Sequence, residues 1–221
     1  MSEYQLIVLI ATPKLVDSAA EMFLKRQLPL QFRLTAEGTA SSEIMDALGL
    51  GSIDKGVLIS TVPKNFGYEM LSILHKKLRL DMINSGIAFT LPLTGSSKLV
   101  LNMMNKISEN IEESEMSENI VESKYSLITV IVDRGFSGEV MNCAREAGAG
   151  GGTIIHSRAI ENEEATGFWG LSVQEEREMV LILVKKDDKI KIMSVISEKF
   201  GIKSEAKGIV VSLPIDSVMG I

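Results

Sequence analysis

The sequence predicts an α+β protein built from two tandem βαββαβ modules, each an antiparallel sheet with its helices on one face. Three observations lead there. Apolar strand-like runs and helix-period stripes follow one another as strand, helix, strand, strand, helix, strand. The same order returns after a spacer. Matching residues also recur at a nearly constant distance: Tyr4 and Tyr125 lie 121 positions apart, Gly49-Leu50 and Gly170-Leu171 the same 121, and Gly86 and Gly208 lie 122 apart. An internal duplication is the simplest account of that spacing.

The first module opens with YQLIVLIA over 4–11, a continuous apolar run that suits a buried strand. Thr12 and Pro13 supply an N-cap and a residue favoured at the first helical position. Val16, Ala19, Ala20, Phe23 and Leu24 then recur at helical spacing, so an amphipathic helix follows. Leu28, Leu30, Phe32 and Leu34 alternate with Pro29, Gln31 and Arg33, the pattern of a half-buried strand. After a polar, glycine-containing stretch over 37–55, residues 57–62 form another apolar strand, 63–67 a turn, and Met70, Leu71, Leu74 and Leu78 a second helix stripe. Residues 86–91 close the module as a strand.

The second module repeats this. Strand 125–132, helix face 140–147, strand 153–160, strand 179–184, the stripe Ile192, Met193, Ile196 and Phe200 ended by Gly201, and strand 208–213 take the same places. Each half reads as a split βαβ unit of the ferredoxin-like type, reached through right-handed crossovers. The domain boundaries expected are 1–95, a linker over 96–123, and 124–221. The linker starts with Leu99, Val100, Met103, Met104 and Ile107 at helical spacing and ends in six glutamates between Glu109 and Glu122, a solvated spacer. The bare face of each sheet calls for a cover, either the other repeat or further chains in a homo-oligomer.

Composition narrows the function classes. The 221 residues carry a net charge of −6, which argues against nonspecific nucleic-acid binding. The one cysteine, Cys143, falls on an apolar helix face and reads as a small core residue, and no cysteine-rich zinc spacing exists. The N-terminus enters an apolar strand without a basic n-region and no stretch reaches membrane-spanning length, so a cytoplasmic protein is expected. His75 and His156 stand without paired carboxylates or cysteines nearby in sequence, and no Gly-x-Ser-x-Gly elbow occurs. No catalytic residue, no metal site and no enzyme activity are expected.

One stretch stands out, AREAGAGGGTIIHSRA at 144–159. A helix stripe stops at Gly148 and an alternating strand begins at Thr153, with almost no loop between. Glycines suit such a junction as a helix C-cap and through close backbone packing; their amides also suit a phosphate-bearing ligand. A Walker loop and a dinucleotide fingerprint are both excluded, because here a helix leads into a strand and presents its negative end to the glycines.

With the helix ending in REAGAGGGT, the long loop before the third strand, the KKDDK turn at 185–189 and the closing GIVVSLPI, residues 125–215 resemble the PII signal-transduction (nitrogen-regulatory) family. The first half resembles it only as a diverged copy. PII proteins are small trimeric regulators that bind ATP or ADP between subunits and contact transporters, enzymes or transcription factors through a long loop. The resemblance implies a noncatalytic regulator of that type, sensing an adenine nucleotide or a relative and controlling a partner protein such as a membrane transporter. It places Gly150, Gly151, Gly152 and Thr153 at the adenine end of the cleft, with Arg158 and Arg177 as nearby cations. It places the partner-contacting loop at 161–176, with Glu163 for charge and Phe168 and Trp169 as an apolar centre that serves either a partner or the chain's own sheet. The family's phosphate-gripping segment Thr-Gly-x-x-Gly-Asp-Gly-Lys is here 200–209: Gly208 is kept, Ile209 stands where the lysine would, and Lys203 and Lys207 are the available substitutes. The family's C-terminal arginines and loop tyrosine have no counterpart. The competing reading is a ferredoxin-like structural or interaction protein that no longer binds nucleotide.

Overall fold

The computed structural model describes residues 4–26, 28, 31–39, 53–82, 85–94, 124–158 and 176–220. The chain forms two compact units, one of Met1–Leu34, Lys55–Ser123 and Pro214–Ile221, the other of Thr35–Asp54 and Lys124–Leu213. The expected linker helix and acidic run at 96–123 lie outside the described residues.

In the first repeat, β1 (Tyr4–Ala11) leads through Thr12 into α1 (Pro13–Lys25), followed by β2 (Gln31–Gly38), β3 (Ile53–Pro63), α2 (Lys64–Leu78) and β4 (Gly86–Pro92). Strand order runs β2-β3-β1-β4, with β9 (Ser217–Met219) beyond β4. In the second repeat, β5 (Tyr125–Asp133), α3 (Ser137–Glu146), β6 (Thr153–Arg158), β7 (Glu176–Lys185), α4 (Lys186–Phe200) and β8 (Ile209–Pro214) give the order β8-β5-β7-β6. Numbered within each repeat, both orders are 2-3-1-4 or its reverse, the ferredoxin-like arrangement.

Register carries the duplication to single residues. Val8 pairs with Ile59 and Leu6 with Thr61 in β1–β3; Thr129 pairs with Leu181 and Leu127 with Leu183 in β5–β7. The offsets are again 121 on the first strand and 122 on the third.

Each unit buries its own cluster between helices and sheet. Ile7, Leu9 and Ala11 of β1 face Val16, Ala19 and Phe23 of α1 and Met70, Leu71 and Leu74 of α2. Ile128, Val130 and Val132 of β5 face Val140, Met141 and Ala144 of α3 and Ile192 and Ile196 of α4. Period two on the strands and the i, i+3, i+4 stripe on the helices put those residues on one side. Cys143 lies buried in the second cluster, and burial pushes its thiol above the ordinary range.

Four local expectations are corrected. The strand expected from Leu28 begins at Gln31, because the Leu28 amide donates to Phe23 O and closes the end of α1. Phe32, expected inward, is 59% exposed, and the buried member of its alternation is Ala36. No turn separates β3 from α2; Pro63, with φ −58, stands directly before the first helical residue, Lys64. The expected turn at 185–189 is instead the start of α4, where Asp187 and Asp188 lie at the positive end of the helix dipole. Thr12 does precede α1 in extended conformation, but its side chain makes no capping bond.

Candidate functional site

The glycine stretch is first of all a helix stop. Ala149 N donates to Ala144 O and Gly148 N to Arg145 O, both at 2.9 Å, the paired bonds of a Schellman cap. Gly148 takes φ +112 to make them, a conformation that a side chain would strain. The glycines that follow differ in what surrounds them. Gly150 is exposed, with nothing within 4 Å of where a Cβ would stand. Gly152 is engaged on both sides: its N–H donates to Thr39 Oγ1 at 2.8 Å, while Thr39 N and Oγ1 donate to Gly152 O at 2.9 and 2.8 Å. The Arg145 guanidinium donates to Thr39 O. Thr153 is buried, paired with Leu181 on one side and Gly38 on the other.

A second group forms at the far end of the β6–β7 ladder. Arg177, which pairs with Asp133 across β5–β7, also makes an ion pair with its carboxylate, and both side chains are nearly sealed from solvent. Arg177 Nη2 donates to Lys207 O at 2.9 Å, Asp133 N donates to Ala206 O at 3.0 Å, and Lys207 Nζ lies 4.0 Å from Asp133 Oδ2. This anchors the turn after α4. Within it, Lys207 N donates to Ser204 O, Ser204 Oγ donates to Gly201 O, and Gly201 bridges Gly208. Lys203 projects from the turn, exposed.

The N-terminus of α3 is filled from inside the chain. The buried Glu178 carboxylate accepts from Gly135 N and Ser137 N, both at 3.1 Å, which satisfies amides that could otherwise hold an external anion. Its other oxygen lies 3.7 Å from His156 Nδ1, and Glu37 Oε1 lies 3.6 Å from His156 Nε2.

The residues named from sequence thus fall into two groups. Gly150, Gly151, Gly152 and Thr153 stand at the start of β6. Arg177 and Lys207 meet Asp133, Lys203 and Gly208 belong to the same turn, and the backbone of Arg158 lies at that end of the ladder, paired with Glu176. Four strand positions separate Thr153 from Ser157, the ladder partner of Arg177, about 13 Å at the usual rise. Within the second unit the two groups do not converge on one ligand. Glu163, Phe168 and Trp169 lie outside the described residues. Sequence reasoning missed Asp133, Thr39 and Glu178; a carboxylate ending one apolar strand and an arginine near the start of another was the available signal for the first. At the position of the first repeat that matches Arg177 stands Lys55, 122 residues earlier, and burial pushes its amine below the ordinary lysine range. Among the described residues no group of three or more His, Cys, Asp or Glu is placed to hold a metal ion.

Gly208 and Gly150 make a paired test of this reading. A Cβ on Gly208 would stand 1.9 Å from Phe200 O, a backbone atom that cannot swing away. Gly208→Ala should therefore cost about 1–3 kcal/mol in urea unfolding, whereas Gly150→Ala should change stability by no more than about 0.5 kcal/mol. Equal costs at the two positions would contradict the packing described.

No protein-family model matches the chain, and no curated protein matches it in sequence. Similar solved structures include Arabidopsis thaliana PII bound to citrate, 21% identical over 43% of this chain and 78% of that one, with a TM-score of 0.33. The periplasmic divalent cation tolerance protein CutA from Archaeoglobus fulgidus is 11% identical over 47% and 97%, with a TM-score of 0.35. Aspartate kinase from Synechocystis is 10% identical over 96% of this chain, which spans 43% of the enzyme, with a TM-score of 0.32.

Proposed function

We propose that this chain is a noncatalytic, cytoplasmic regulatory protein of the PII-like, nitrogen-regulatory kind. It senses a small ligand, an adenine nucleotide such as ATP or ADP or a close relative, and passes the signal to a partner protein through the loop at 161–176. The observation that carries the reading is the division of the candidate residues into two half-sites. One is the glycine backbone at the exposed Gly150 and the half-buried Gly151. The other is a turn bearing Lys203, Lys207 and Gly208, braced by the buried Asp133–Arg177 pair. A ligand with a flat ring at one end and phosphate at the other suits two such half-sites when different chains of a homo-oligomer supply them. The ligand alters the loop only in so far as it prefers one loop state.

The competing reading, an interaction protein that has lost its ligand, also has an observation in its favour. Arg177 spends its charge on Asp133, and Gly152 spends its amide on Thr39.

Thermal unfolding against a panel of adenine nucleotides, cyclic ones included, separates the two. A ligand at a hundred times its dissociation constant should add about 2.7 kcal/mol, and the gain should fall when Lys203 and Lys207 are changed to Gln. Unchanged melting with every nucleotide removes the sensing role. No helix among the described residues is long and apolar enough to cross a membrane.

A further inference from the structure

Repeat and unit do not coincide, and the exchange runs in both directions. The first unit takes in Pro214–Ile221, the end of the second repeat; the second unit takes in Thr35–Asp54 from the first repeat. In the first unit β9 lies antiparallel to β4, with Ala88 opposite Met219, Phe89 opposite Val218 and Thr90 opposite Ser217. Asp216 N donates to Thr90 O at 3.0 Å, and the buried Gln5 donates from Nε2 to Asp216 Oδ2 at 2.6 Å. Ile215 is buried, and Met219 packs against the core of that unit. In the second unit Glu37 pairs with Ile154 and Gly38 with Thr153, and Thr39 brackets Gly152 as described.

Without these segments β4 and β6 would each be the last strand of a four-stranded sheet. A last strand leaves a row of unpaired N–H and C=O groups, which invites unwanted pairing. Here each edge is met by main-chain bonds together with side-chain recognition: Gln5 reads Asp216, the core takes Met219, and Arg145 reaches the Thr39 carbonyl. That combination is how strand-addition sites recognise extended peptides.

We propose that the two repeats are mutual binding partners: the β4 edge is a receptor for segment 215–219 and the β6 edge a receptor for segment 37–39, each supplied by the other half of the same chain. The halves then recognise one another as separate polypeptides, and neither closes its sheet alone. This stands independently of any ligand.

The test uses the full chain with a protease site introduced between 109 and 122 and cut after folding. The fragments should stay together at the mass of one chain. Once separated in denaturant, they should recover a cooperative transition only when mixed, with hydrogen-exchange protection returning along β4 and at Gly152. Gln5→Leu removes a bond to a carboxylate and should weaken reassociation by about tenfold or more, while Thr39→Ala should abolish protection at Gly152. Fragments that part on cleavage and melt cooperatively on their own overturn the proposal. So does reassociation that is indifferent to both substitutions. An assembly with the mass of two chains assigns the segments to a second copy and overturns exchange within one chain.

Discussion

Arg177→Met will destabilise the protein by about 3–5 kcal/mol, the usual penalty for leaving a buried charge without its partner. Asp133 and Arg177 are 4% and 5% exposed at their side chains, so water cannot take over from the missing guanidinium, and Lys207 Nζ, 4.0 Å from Asp133 Oδ2, offsets only part of the loss. The loss reaches further than the pair. Arg177 also holds the carbonyl of Lys207, so the turn after α4 loses one tie outright and keeps the backbone bond from Asp133 N to Ala206 O. Asp133→Asn should cost nearly as much, and the double change Asp133→Leu with Arg177→Met should recover a large part of it, since an apolar pair leaves no charge stranded. Urea unfolding of the four proteins closes the cycle. Single variants that each lose less than about 1 kcal/mol would mean the pair behaves as a surface bridge.

Phe23→Ala should cost about 3–5 kcal/mol in the same assay, as expected for a large side chain removed from a packed core. Phe23 is 1% exposed and anchors α1 on β1 together with Val16 and Ala19. The repeat offset puts Ala144 at the matching place in α3, one position after Cys143, and Met141 fills the second core from the preceding turn. The two modules therefore share a backbone plan while dividing side-chain volume differently between helix turns. A cost near that of a surface substitution would show that α1 is not held through Phe23.

That difference explains what the sequence made legible. Strand order, helix faces and register rest on periodicity and on the repeat, and both survive divergence: Tyr4 and Tyr125 open equivalent strands in which three of the next seven residues are identical. The ends of elements were harder to read. Leu28 looked like a strand residue and is held by the last turn of α1, and Pro63 looked like a turn and leads straight into α2, because single hydrogen bonds and one fixed φ decide such boundaries. The glycine stretch was legible as a helix stop, since Gly148 has one conformational task. Its relation to Thr39 was not, because residues 113 positions apart are joined by a segment exchange that no local pattern encodes. The buried Asp133–Arg177 pair escaped notice for the same reason: charges in sequence read as solvated until the strands that carry them are paired.

The regulatory proposal rests on both halves being one module in one register. Long-range backbone nuclear Overhauser contacts in the intact protein test this most directly. They should connect Val8 with Ile59 and, 121 and 122 positions later, Thr129 with Leu181, with the same strand neighbours on either side. A one-residue slip in either pair would turn the apolar side chains to the opposite face; such a slip, or the absence of either set of contacts, would contradict the duplication and the functional proposal built on it.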